Sequence, residues 1–136
     1  MNTIDNSSQK RERGLAKMNQ VYGFNVQPEH VTGKYMEMTV DHLFGEIWTD
    51  ETIGIRDRRL ITIGVLGALG HFDLLGVQIK AGLVRGEFDQ DFVRAMCVHL
   101  AHYAGWPRST GINQAFETAL AEHASLFKDD ATGQQS

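Results

Sequence analysis

His99 and Tyr103 stand four residues apart in the stretch R-A-M-C-V-H-L-A-H-Y-A-G-W-P, so on a helix they share one face. A histidine titrates near neutral pH, which suits it to proton transfer, and a neighbouring phenol can orient its ring. The same spacing serves two core side chains that each satisfy one hydrogen-bond partner. His102 follows His99 at a distance of three, but two imidazoles need at least one further ligand to hold a metal, and no acidic residue stands beside them. No metal site is expected. Upstream, Arg56-Asp57-Arg58-Arg59 opens an apolar run. Cations at a helix N-terminus oppose the macrodipole, and Asp57 offsets part of that cost. One arginine turned inwards would suit a carboxylate, which a guanidinium grips through two parallel hydrogen bonds. The alternative is a solvated run pairing with Asp50 or Glu51. Cys97 follows Met96 on an apolar helix with no adjacent cation to lower its pKa, so it reads as a small buried hydrophobe. Glu46, among Phe44, Ile47 and Trp48, is either a surface carboxylate at a helix end or an acid of raised pKa in an apolar wall.

These residues need helices to position them. Leu15, Met18, Val21 and Tyr22 follow helical spacing over 9–22, and Gly23 ends that helix. Pro28 suits the first turn of a second helix over about 29–48. Val31, Tyr35, Met38, His42, Gly45 and then Trp48 or Thr49 form its stripe, and Leu43, Phe44 and Ile47 widen it. A helix apolar round so much of its circumference is buried by more than one neighbour, which in a short chain points to a partner subunit. Residues 56–69 form a third, buried helix, where Gly64 and Gly67 permit close approach of another helix. Gly70-His71 is a turn. A fourth helix over 72–85 ends at Gly86, where a left-handed residue is wanted. Asp89 caps a fifth, which Gly105-Trp106-Pro107 stops, and Ser109 or Thr110 caps a sixth that runs to Phe127. No strand alternation appears. The fold class is therefore all-α, with about six helices.

The chain has 136 residues, 42% of them hydrophobic and 22% charged, with a formal net charge of -4. That length fits one domain, over 9–127, flanked by disordered tails at 1–8 and 128–136. The charge balance argues against a nucleic-acid partner, since no basic stripe could track phosphates. A single cysteine precludes a disulfide within the chain. The polar N-terminus is not a signal peptide, and no run approaches the roughly 18 apolar residues that span a bilayer. A cytoplasmic protein with no membrane partner is expected.

Taken in order, four short elements resemble the carboxymuconolactone decarboxylase family, which shares a fold with the alkyl hydroperoxidase D-like proteins. They are Gly45-Glu46-Ile47-Trp48, Arg58-Arg59-Leu60-Ile61-Thr62-Ile63, Ala81-Gly82-Leu83-Val84-Arg85-Gly86 and His99 to Pro107. The resemblance covers about Arg13 to Ala121. It implies an all-α fold assembling as a homotrimer or homohexamer, with pockets lined partly by neighbouring subunits. It also implies a small-molecule substrate, a carboxylated lactone or an enolisable ring, handled by a cofactor-independent lyase. Arg58 would bind the substrate carboxylate, His99 would donate the proton and Tyr103 would orient it. Trp48, His71, Glu46 and Gln78 would contact the substrate. The chain departs from the family at one helix. The peroxidase motif C-x-x-C-x-x-x-H falls near His71, Leu74 and Gln78, and neither cysteine is present, so a thiol peroxidase of that type is not expected. The decarboxylases' E-L-x-x-H run reads Leu74-Leu75-Gly76-Val77-Gln78, and Gln78 can hydrogen-bond but cannot supply a proton. Other proton-transfer chemistry (isomerase, hydratase or cyclase) and a non-catalytic oligomeric binding protein are the alternatives.

Overall fold

The helices punctuated by glycine in the sequence are the helices of the structure, a computed structural model that describes the backbone of residues 5–133 and the side chains of residues 7–128. α1 spans Asp5–Tyr22, and a short 3-10 turn over Pro28–His30 follows. α2 starts as an α-helix over Lys34–Met38 and continues with π geometry over Thr39–Ile47. Then come α3 (Ile55–Leu69), α4 (Phe72–Val84), α5 (Gln90–Ala104) and α6 (Trp106–Gly133). No strand occurs among the described residues. Both terminal helices exceed expectation: α1 begins at Asp5 rather than Gln9, and α6 reaches Gly133 rather than Phe127. The disorder expected for residues 1–4 and 134–136 lies outside the described residues. No described helix is long and apolar enough to cross a membrane.

The chain divides into two compact units, Met1–Arg58 and Arg59–Ser136, a division that length alone does not reveal. In the first, Leu15, Met18 and Val21 of α1 pack with Val31, Val40, Phe44 and Trp48. The helices touch backbone to backbone. A Cβ on Gly14 would lie 2.7 Å from the Val40 carbonyl carbon, and one on Gly45 would lie 2.8 Å from the Lys10 oxygen. Such contacts are too close for any residue but glycine. Arg11 clamps the crossing by gripping both oxygens of Asp41, and that bond holds the Asp41 carboxyl below its ordinary pKa.

The second helix differs from the expected 29–48. Gly33, at φ +83, breaks the chain after the 3-10 turn, so the regular helix starts at Lys34. The stripe is different too. The Trp48 amide donates to the Leu43 carbonyl five residues back, 2.9 Å away. This wider turn brings residues four and five apart onto one face. Val40, Phe44, Gly45 and Trp48 are buried, whereas Tyr35 and Met38 are 87% and 55% exposed.

The second unit is built on Ile63, Leu75, Ile79, Leu83, Phe88, Val93, Cys97, Ile112, Phe116 and Leu120. Each of the aliphatic and aromatic side chains among them contributes roughly 1.5–3 kcal/mol when fully buried. α3 buries Arg59, Ile63 and Gly67, one turn apart each, and leaves Ile61 and Val65 exposed. Of the two glycines expected to admit a neighbour, Gly67 does so, with Ile112 at 3.1 Å from its would-be Cβ, while Gly64 meets only Leu100 at 4.0 Å. Asp89 caps α5, accepting from the Phe92 amide at 2.9 Å. The expected cap of α6 is corrected. The helix already begins at Trp106 with Pro107 in its first turn, and the Ser109 and Thr110 hydroxyls donate back to the Trp106 carbonyl.

Candidate functional site

Within the second unit, α5 holds His99 and Tyr103 as its spacing requires. Their rings lie 5.0 Å apart and tilted by 41°. Both face outward, Tyr103 at 81% exposure, so they are not the core pair that the same spacing allows. His102 bonds the Val98 carbonyl through Nδ1 and meets Trp106 edge-on at 5.6 Å. The end of α5 and the start of α6 thus carry an exposed row of titratable and aromatic side chains.

Beside that row lies an open cleft of about 400 Å³, lined by Phe72, Ala104, Pro107 and Arg108. It sits where α4 and α6 begin and α5 ends. His71 is exposed at the N-cap of α4, next in sequence to Phe72, and its ring makes no capping bond.

Gln78 belongs to a different cluster. Its Oε1 accepts from Arg59 Nη1 at 3.0 Å, and Arg59 also donates to both oxygens of Glu87, at 2.6 and 3.1 Å. Arg85 adds a bond to Glu87 at 2.7 Å. Arg59 has no exposed surface, and the Glu87 side chain is 8% exposed. Burial pushes the Glu87 carboxyl up, but the bonds and charges of Arg59 and Arg85 outweigh it and leave the pKa below its ordinary value. The inward-turned arginine of Arg56–Arg59 is therefore Arg59. Arg58 instead donates to the carbonyls of Ile53 and Asp50, each at 2.9 Å, and fastens the loop before α3.

Trp48 and Glu46 lie in the first unit. Trp48 stacks on Phe44 at 5.8 Å within the core. Glu46 is a surface carboxylate, bound by Lys10 at 3.0 Å and near His42 at 3.7 Å. The Lys10 bond lowers its pKa, the opposite of the acid in an apolar wall. Cys97 is buried, and its thiol is pushed up by that burial and by the charge of Glu117. It is held away from thiolate chemistry, as an apolar site with no cation requires. Sequence reasoning passed over Arg108, whose signal was a lone cation directly after Trp106-Pro107 with no acid in the following turn.

Residues 33–118 match the carboxymuconolactone decarboxylase family, and the chain belongs to it. A 4-carboxymuconolactone decarboxylase of Acinetobacter baylyi (strain ATCC 33305 / BD413 / ADP1) is 34% identical over 86 residues. That alignment covers 63% of this chain and 58% of the relative, so the chain spans little more than half of that protein's length. No solved structure matches the chain.

Proposed function

We propose that the protein is a cofactor-independent lyase that removes CO2 from a small carboxylated lactone. The observation that carries this reading is the family match over 33–118, which includes the His99–Tyr103 pair. The chemistry needs little. When the C–CO2 bond breaks, its electron pair is taken up by the conjugated lactone carbonyl as an enolate. A proton delivered to carbon then completes the reaction. The protein has to hold the carboxylate in a poorly solvated place and supply that proton. In this reading His99 donates the proton and Tyr103 orients its ring, while His71 stands near the cleft beside Phe72. Arg58, engaged with the 50–53 loop, contributes by positioning. Incubation with 4-carboxymuconolactone, with the ultraviolet band of the lactone and released CO2 followed together, is expected to show loss of the lactone band matched by release of one CO2 per lactone consumed. Stable substrate over hours at micromolar protein sinks the reading.

A second reading has its own observation. Gln78, where the decarboxylases' histidine would fall, is occupied by Arg59, and Leu74 is 58% exposed. This favours proton transfer on another enolisable ring, which deuterium exchange into the ring without CO2 release would reveal.

Self-association belongs to the same proposal. Tyr35, Ile61, Val65, Leu69, Leu74 and Val98 are large apolar side chains more than half exposed on the single chain. Large exposed apolar side chains of this kind support that reading. Sedimentation equilibrium is expected to give three or six times the chain mass, and a monomer at micromolar concentration contradicts it.

A further inference from the structure

We propose that Arg108 is the carboxylate receptor of the cleft at the start of α4 and α6, with Phe72 and Pro107 as the apolar seat for a small ring. Arg108 makes no ion pair or hydrogen bond among the described residues. It differs in this from the other arginines of its unit: Arg59 and Arg85 are bound by Glu87, and Arg94 by Glu117. A guanidinium keeps its charge at any physiological pH, so this one is left with its donor fork uncommitted.

The surroundings prepare it. Gly70, at φ +81, turns the chain between α3 and α4 and also makes room for Arg108. A Cβ there would collide with Arg108 Nη1 and lie 3.2 Å from the guanidinium carbon, so one edge of the guanidinium rests on bare backbone. Phe72 is seated in the same way on Gly111, whose would-be Cβ lies 2.9 Å from a ring carbon. Two walls of the cleft are thus laid flat against glycines. The first turn of α6 contains no acidic residue, and Asp73 is the acid in the first turn of α4. A cation placed at the positive end of α6 is unfavourable there until an anion joins it. The result is a cleft of about 400 Å³ with one cationic corner and apolar walls from Phe72, Ala104 and Pro107. An open cleft of this kind can seat one face of a small ring, with a polar group fixing its orientation. A ring bearing one carboxylate matches it: the carboxylate on the Arg108 fork, the ring against Phe72 and Pro107.

This assignment rests on the lyase reading for the identity of the ring, but not for the presence of the carboxylate. The test uses titration calorimetry of the full chain with muconolactone, a lactone carrying a carboxylate, and with its methyl ester. Wild-type protein is expected to bind the acid and to bind the ester weakly. Arg108→Gln should weaken acid binding about 10- to 100-fold and leave the ester unchanged, as loss of a charge-assisted bidentate contact implies. Arg108→Lys should fall between them, since it keeps the charge and loses the fork. Arg94→Gln, which removes a surface charge bound to Glu117, should match wild type. Equal acid affinity in wild type and Arg108→Gln overturns the proposal, and so does a wild type that binds neither compound. The lyase reading fails separately. Arg108-dependent binding without CO2 release leaves the receptor standing, whereas turnover with an unchanged KM in Arg108→Gln removes the receptor and leaves the lyase.

Discussion

Glu87→Ala is expected to destabilise the fold by about 3–5 kcal/mol, because it strands a buried guanidinium. Arg59 has no exposed surface and spends two of its bonds on Glu87. With the carboxylate gone, Gln78 remains as a neutral acceptor at 3.0 Å, which does not balance a full charge. Urea unfolding checks this, and a loss under 1 kcal/mol contradicts it. The pair itself is a separate matter. Desolvating both charges costs most of what their attraction returns, so Arg59→Met combined with Glu87→Leu should recover much of the loss. The pH dependence has a definite sign. The folded Glu87 pKa lies below its ordinary value, so the unfolded chain takes up its proton first as pH falls. The stabilisation from this group is full above about pH 4.3, the usual glutamate value, and disappears as pH falls through the folded pKa. Glu87→Gln should therefore flatten the acid limb of the stability curve. An unchanged acid limb would show that Glu87 is not the titrating group.

The same cluster shows how far the sequence could be read. An arginine turned inwards toward a carboxylate was legible in Arg56-Asp57-Arg58-Arg59, but the family pattern drew the choice to Arg58. The helical line Arg59, Ile63, Gly67, with each member buried, was present in the spacing. It was obscured because Leu60, Ile61, Val65 and Leu66 make the run apolar on every side. Glycine turns were plain, since positive φ at Gly23, Gly70, Gly86 and Gly105 is a local demand that composition reports directly. The π turn of α2 was not. Its hydrogen bonds reach five residues back, and a period of 3.6 put Tyr35 and Met38 inside when they are exposed. Arg108 stayed hidden because Ser109 and Thr110 resemble caps, which set the expected start of α6 past it.

His99→Ala is expected to lower kcat/KM for lactone decarboxylation about 10²- to 10⁴-fold, the range for removal of a positioned proton donor. The position of His99 supports the assignment in two ways. Its ring is exposed, so a substrate can reach it, and Tyr103 lies against it at 5.0 Å, which restricts its orientation. Neither side chain belongs to the buried core of its unit, so removal should leave urea stability within about 0.5 kcal/mol of wild type. That separation makes the test decisive: a catalytic loss without a stability loss cannot come from unfolding. Tyr103→Phe keeps the ring that packs on His99 and loses only the hydroxyl, so an orienting role through ring contact predicts a smaller effect than His99→Ala. If the order is reversed, the phenol is the acid and the histidine its orienter. Wild-type turnover by His99→Ala would remove His99 from the chemistry.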